Sequence, residues 1–143
     1  MHQQQVFFSV IIVATLVIAM FKISSDIVNT GHNLAKTHCA KCHDFSNQNV
    51  NRKGPYLWGI FNRRAGTAKG YEYSDAFSQI VSERGDFSWT EAELDSLIAN
   101  PGKFMPGIKM ARSKSDTKHI EAFGGIHKEG LRTELISYLR TLK

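Results

Sequence analysis

Residues 6 to 21, VFFSVIIVATLVIAMF, carry no charge, and with Lys22 and Ile23 the apolar run reaches 18 residues. As a helix it covers roughly 27 Å, close to the thickness of a bilayer's hydrocarbon core. The run is long for the apolar core of a signal peptide, and no A-x-A cleavage pattern follows it, so it reads as an uncleaved anchor. The mostly polar stretch SSDIVNT (24–30) then reads as a short tether into a helix capped by Ser25 or Asp26. In that helix Ile27, Gly31 and Leu34 recur at helical spacing, and Gly31 lacks the Cβ that would keep a crossing helix at a distance. From Asn47 to Gly70 the turn residues Gly54-Pro55, Gly59, Gly66 and Gly70 predict an ordered loop. Ser74 heads a helix over DAFSQIVSE. Thr90 to Glu93 forms a T-x-x-E capping box for a second, which carries Leu94, Leu97 and Ile98 and stops at Asn100-Pro101. Pro106-Gly107 makes GKFMPGIKM (102–110) a loop that presents its side chains one at a time. ARSKSDTKHIE (111–121) reads as a solvated surface loop. Leu131, Leu135, Leu139 and Leu142, with Ile136 and Tyr138, make an amphipathic terminal helix. No strand-rich stretch, internal repeat or low-complexity segment interrupts this order.

Covalent chemistry enters at Cys39-Ala40-Lys41-Cys42-His43. On one helical turn the two thiols and the imidazole project toward the same side and can meet one planar ligand. The cysteines can add to the two vinyl groups of a haem while His43 binds its iron, and C-x-x-C-H is the attachment pattern of c-type haem. Rival readings fit poorly. A structural zinc site needs four ligands, and the chain has only two cysteines. A thioredoxin-like pair belongs beside a βαβ pattern, and a disulfide between residues three apart closes too small a loop to gain much.

The 143 residues, 42% hydrophobic, amount to one domain with enough apolar side chains for a core. Nine Phe, four Tyr and two Trp suggest that this core is built around something large and flat, as a haem would be. The 18 Lys and Arg against 13 Asp and Glu come singly or at most in adjacent pairs, not in runs. Such a balance suits an acidic protein partner and argues against nucleic acid.

An iron held by His43 on one face needs a decision on the other, because a filled sixth position makes an electron carrier and an open one makes a ligand binder. Met1 is the initiator and Met20 lies in the apolar run, leaving Met105 and Met110, between which periodicity cannot choose. His32, His38, His119 and His127 read as surface residues.

Residues 31 to 143 resemble class I cytochrome c, of the mitochondrial and bacterial c2 type. The motifs that carry the likeness are Cys39 to His43, KGPYLWGIF (53–61), RRAG (63–66), GYEY (70–73), Trp89, Asn100-Pro101, FMPGIKM (104–110), AFGGI (122–126) and LISYL (135–139). With the apolar run in front, the chain is similar to membrane-anchored bacterial members. The resemblance implies an all-α fold of four to five short helices and long loops wrapped around one covalently bound haem c, plus a transmembrane helix. Residues 1–23 would be the anchor, 24–30 the tether and 31–143 the haem domain.

The resemblance further implies that Met110 is the sixth ligand and Met105 a packing residue. Pro55 would accept the second imidazole N–H of His43, Arg63, Tyr73 and Trp89 would hold a haem propionate, and Phe123 would stand beside the exposed haem edge. Gly31 and Tyr138 would mark the crossing of the first and last helices. Phe77 and Leu97 depart from the mitochondrial pattern, which has asparagine and tyrosine near the sixth ligand, so the polar network there should be reduced. Ala35 replaces an aromatic, and residues 111–121 have no mitochondrial counterpart.

These readings describe a non-enzymatic one-electron carrier, a monomer shuttling from a quinol:cytochrome c oxidoreductase to a terminal oxidase. Lys41, Lys53, Lys103, Lys109 and Lys128 would ring the haem edge and meet acidic docking surfaces. Lys22 follows the apolar run, against the positive-inside preference. Orientation is therefore read from the haem, whose attachment puts the domain on the periplasmic side of a bacterial inner membrane. The alternative is a haem sensor or a peroxidase-like enzyme with an open sixth position.

Overall fold

A computed structural model describes residues 2–111 and 122–143, so ten residues of the expected 111–121 loop lie outside the described residues. Five helices account for the regular structure among the described residues: α1 His2–His38, α2 Asp75–Glu83, α3 Glu91–Ala99, α4 Pro101–Phe104 and α5 Glu129–Thr141. Among the described residues the only β-pairing is two isolated bridges, Arg64 with Ser88 and Ala111 with Phe123.

The two helices predicted from Ser74 and Thr90 begin where those caps stand. The Ser74 hydroxyl accepts from the Phe77 amide at 3.4 Å, and Thr90 does the same for Glu93, each relieving one of the unsatisfied donors of a first turn. The Glu93 carboxylate also pairs with Arg84 at 2.6 Å, tying the end of α2 to the start of α3.

Two expectations are corrected. Residues 24–30 are not a separate tether, and neither Ser25 nor Asp26 starts a helix, because α1 runs through them unbroken. The stretch holds no Gly or Pro, and its hydroxyls bond back along the helix, Ser25 to the Lys22 carbonyl at 2.8 Å and Thr30 to the Asp26 carbonyl at 3.0 Å. The 102–110 segment, expected as loop, starts with the helical turn α4. Pro101 stands at its first position, and the Asn100 side chain accepts from the Lys103 amide at 3.0 Å.

The core forms where α1 crosses α5 and α3 packs beside α5. Ala35, Leu94, Ile98, Met105, Leu135, Ile136 and Leu139 are all buried there. His32, expected at the surface, is half-buried at the crossing, its ring 4.9 Å from that of Tyr138 and edge-on to Phe45. His38 and His127 are exposed, and His119 lies outside the described residues.

Arg132 ties the chain beyond residue 121 to this core. Its Nε donates to Asp95 Oδ1 at 2.6 Å, and its Nη1 donates to the carbonyls of Ile126 and His127 at 3.1 and 2.9 Å. Removing the guanidinium leaves two carbonyls and a carboxylate without that donor. Arg132→Met should therefore lower the denaturant midpoint, and by more than Asp95→Asn, which keeps both carbonyl bonds. Equal midpoints for the two variants would show that the carbonyl bonds contribute nothing.

Candidate functional site

The end of α1 delivers the thiols. Cys39 closes the last helical turn with its amide on the Ala35 carbonyl at 2.8 Å. The chain then tightens, with the amides of Cys42 and His43 both donating to the Cys39 carbonyl, at 3.0 and 2.8 Å. That turn keeps Cys39, Cys42 and His43 on one side, as their spacing predicts.

A second segment fixes the imidazole. The Gly54 amide donates to the Cys42 carbonyl at 2.8 Å, which lays Gly54-Pro55 against the His43 ring. A Cβ on Gly54 would fall 2.3 Å from His43 Cε1, so only glycine lets the backbone lie so close. His43 Nδ1 then donates to the Pro55 carbonyl at 2.6 Å. With the proton on Nδ1, Nε2 is left as the nitrogen with a lone pair. Burial lowers the His43 pKa, a shift that the Pro55 bond opposes. The ring is thus neutral and suited to bind a metal.

The nine site residues expected from the sequence, Cys39, Cys42, His43, Pro55, Arg63, Tyr73, Trp89, Met110 and Phe123, all line one cavity of about 980 Å³. That volume is in the range of cofactor pockets. The walls are mainly apolar, with Leu94, Leu97, Ile98, Leu135 and Leu139 among them. Helical periodicity marks these side chains as core, but not as cavity wall. Phe77 and Leu97, the two departures from the mitochondrial pattern, both face the cavity.

The two loop methionines separate clearly. Met105 is fully buried in the core, while Met110 lines the cavity. The Phe123 amide donates to the Met110 carbonyl at 3.1 Å, so these two expected site residues are held together. Gly125 brings this returning segment onto α3: its φ is +97°, a Cβ there would fall 2.3 Å from the Ala99 carbonyl oxygen, and the next amide, of Ile126, donates to Ile98 O at 2.8 Å.

Arg63 and Tyr73 add a polar corner. The Arg63 guanidinium donates to the carbonyls of Trp58 and Tyr56, at 2.9 and 2.8 Å, and lies over the Tyr56 ring. Burial pulls its pKa down, but an arginine has range to spare and remains a cation. Burial pushes Tyr73 up, so its hydroxyl, which accepts from the Ala68 amide at 3.2 Å, stays protonated. Tyr73 stacks on Phe77 with ring centroids 4.5 Å apart, and Trp89 is buried beside them. Tyr71, not singled out from the sequence, also lines the cavity and donates to the Lys53 carbonyl at 2.8 Å. Its place in the GYEY motif was the available signal.

Lys41, Lys53 and Lys109 are exposed on the cavity lining, whereas Lys103 and Lys128 are exposed elsewhere on the surface. Cys39 as a free thiol is pushed up to about 12, first by burial and then by its neighbour Cys42, so it is protonated at neutral pH. The donor set fits a haem: two adjacent thiols, a neutral imidazole against a glycine cradle, an apolar cavity with a thioether in its wall, and a cation placed for a carboxylate.

No protein-family model matches the chain. Individual proteins do. The chain is 37% identical to cytochrome c of Gibberella zeae over 113 residues, which is 79% of this chain and 92% of that protein. It is 38% identical to cytochrome c of Arabidopsis thaliana over 109 residues, 76% of this chain and 83% of that one. With cytochrome c of Euglena viridis it shares 34% identity over 113 residues, 79% and 94% of the two chains.

Proposed function

The chain belongs to the cytochrome c family, and from that premise we propose that it is a membrane-anchored bacterial member with its haem iron held between His43 and Met110. It carries haem c and is an electron carrier, not an enzyme. When bound, the haem supplies a one-electron ferric/ferrous couple. The chain's own groups attach it, orient it and set its surroundings.

The observation that carries the reading is the convergence on one cavity of two thiols, an imidazole with Nδ1 committed to Pro55, and the Met110 thioether. Cys39 and Cys42 would hold the ring edge. Pro55 fixes the rotation of His43 and makes Nε2 a stronger donor. A neutral thioether and walls such as Leu94, Leu97 and Ile98 favour the less charged state of the metal, which raises the potential. Arg63, beside Tyr73 and Trp89, would offset the cost of burying a propionate by charge-assisted bonding. Phe123 would stand at the haem edge.

The anchor reading is supported by α1, whose Phe8–His38 portion is long and apolar enough to cross a membrane and whose apolar part is unburied. In this reading residues 1–23 are the anchor and 31–143 the haem domain, a monomer on the periplasmic face of a bacterial inner membrane. Electrons pass from a quinol:cytochrome c oxidoreductase to a terminal oxidase, whose acidic docking surfaces meet Lys41, Lys53 and Lys109 at the cavity and Lys103 and Lys128 beyond it.

Carbon monoxide tests the ligation. Added to the reduced holoprotein near neutral pH, it should leave the haem absorption bands unmoved because the sixth position is filled. A prompt shift would instead support a sensor or peroxidase-like protein with an open position.

A further inference from the structure

The peptide group that holds His43 is itself held. Pro55 supplies the carbonyl that accepts from His43 Nδ1, and the N–H on the other side of that same peptide belongs to Tyr56, which donates to Asn51 Oδ1 at 3.2 Å. The Asn51 carboxamide passes the pattern on, its Nδ2 donating to the Lys69 carbonyl at 2.9 Å. Two amide groups thus stand head to tail behind the imidazole, each accepting at oxygen and donating at nitrogen. Asn51 is half-buried and lies four residues before Pro55, and its side chain carries both the acceptor and the donor that this place uses. A second contact joins the same two segments without entering the chain of amides: the Lys69 amide donates to the Tyr56 hydroxyl at 3.4 Å.

We infer that Asn51 is a positioning residue for the axial imidazole, acting through the Pro55–Tyr56 peptide to lower the redox potential. The inference rests on the reading of His43 as an iron ligand. A hydrogen bond donated from the nitrogen of an amide polarises the group and makes its oxygen a better acceptor, a strengthening of about 10–30% per bond. With Asn51 Oδ1 drawing on the Tyr56 N–H, the Pro55 oxygen draws harder on the Nδ1 proton, and Nε2 gains electron density. A more basic imidazole favours ferric iron, the more charged state. That opposes the Met110 thioether and the apolar walls, which favour the ferrous one. A staple that merely joined segments 51–56 and 68–73 would carry no such sign.

Potentiometry and proton NMR of the full-length holoprotein, with Asn51→Leu, Asn51→Asp and Tyr56→Phe beside the parent, test this. Leucine has a similar volume but neither accepts nor donates. In Asn51→Leu the ferric-to-ferrous ratio at a fixed applied potential should fall about threefold, a rise in midpoint of roughly 30 mV at 59 mV per decade. The His43 Nδ1–H resonance of the reduced protein should move upfield as its hydrogen bond weakens. Asn51→Asp keeps the acceptor and makes it stronger, so the resonance should move downfield. The resonance is the decisive readout there, because the carboxylate charge alone also lowers the potential, and it carries the test where Asn51→Leu does not fold. Tyr56→Phe removes the other link between the segments and should leave both readouts in place. An unmoved resonance in the Asn51 variants, or a potential that rises as much in Tyr56→Phe as in Asn51→Leu, would overturn the relay and leave Asn51 a loop staple. If the His43 ring protons of the parent lack the strong upfield displacement of an imidazole lying over a haem, the ligand reading itself fails, and the relay with it.

Discussion

Gly31→Ala is expected to destabilise the holoprotein by about 2–3 kcal/mol, although in an ordinary helix interior the same change stabilises by about 1 kcal/mol. The sign is decided by what lies opposite. A Cβ at Gly31 would fall 2.1 Å from the Glu134 carbonyl oxygen and 2.7 Å from Tyr138 Cβ. The first is backbone of α5, which cannot turn aside as a flexible side chain would. The helices would have to part by about an ångström, and a gap of that size forfeits a quarter to a half of each contact across it. The contacts at stake are those of Ala35, Leu135 and Leu139, each 3% exposed or less. For a domain of this size the loss corresponds to a fall in Tm of roughly 6–15 °C. Thermal unfolding of the detergent-solubilised holoprotein, followed by helical circular dichroism, measures it. An unchanged or raised Tm would mean that the crossing is looser than the geometry shows.

The position of that glycine was legible because it combined helical spacing with a missing side chain, a pattern contained within a few residues. The same locality explains why α2 and α3 could be read from Ser74 and Thr90, and the thiol-imidazole turn from residues 39–43. Each is decided by neighbours within one or two turns. The 24–30 segment misled for a related reason. Ser, Thr and Asp can cap a new helix or bond back onto one already formed, and the choice depends on the flanking helices, which local composition does not reveal. Here an apolar helix precedes the segment and a packed helix follows it, and nothing between them forces a break.

Convergence of the site is a different matter. Residues 43, 55, 63, 73, 89, 110 and 123 come from separate loops and elements, and no periodicity says that they share a cavity. Their grouping came from the family likeness, and all of them line the same cavity. The α3 and α5 leucines were legible as core, yet their second role as cavity wall depends on how far apart those helices stand. Spacing along a chain carries no such distance.

The methionine pair shows what the three-dimensional arrangement adds, and it leads to the other large effect. Met105 and Met110 occur in one Pro-Gly loop, chemically identical and five residues apart, but Met105 has no exposed surface and Met110 lines the cavity. Met110→Ala should therefore open the sixth position. The reduced variant should bind carbon monoxide where the parent does not, and the midpoint potential should fall by on the order of 0.2 V, within the roughly 0.8 V that axial ligation spans. The loss of the neutral thioether, which favours the reduced state, sets the sign. Met105→Leu is the matched control: a volume-conserving core swap that costs less than about 1.5 kcal/mol and leaves both carbon monoxide indifference and potential in place. If Met105→Leu were instead the variant that opens the iron, the ligand would be the buried methionine, and the loop would have to rearrange around the haem by bringing Met105 out of the core. If neither variant responds, a third group holds the iron, and histidine variants would be the next to compare.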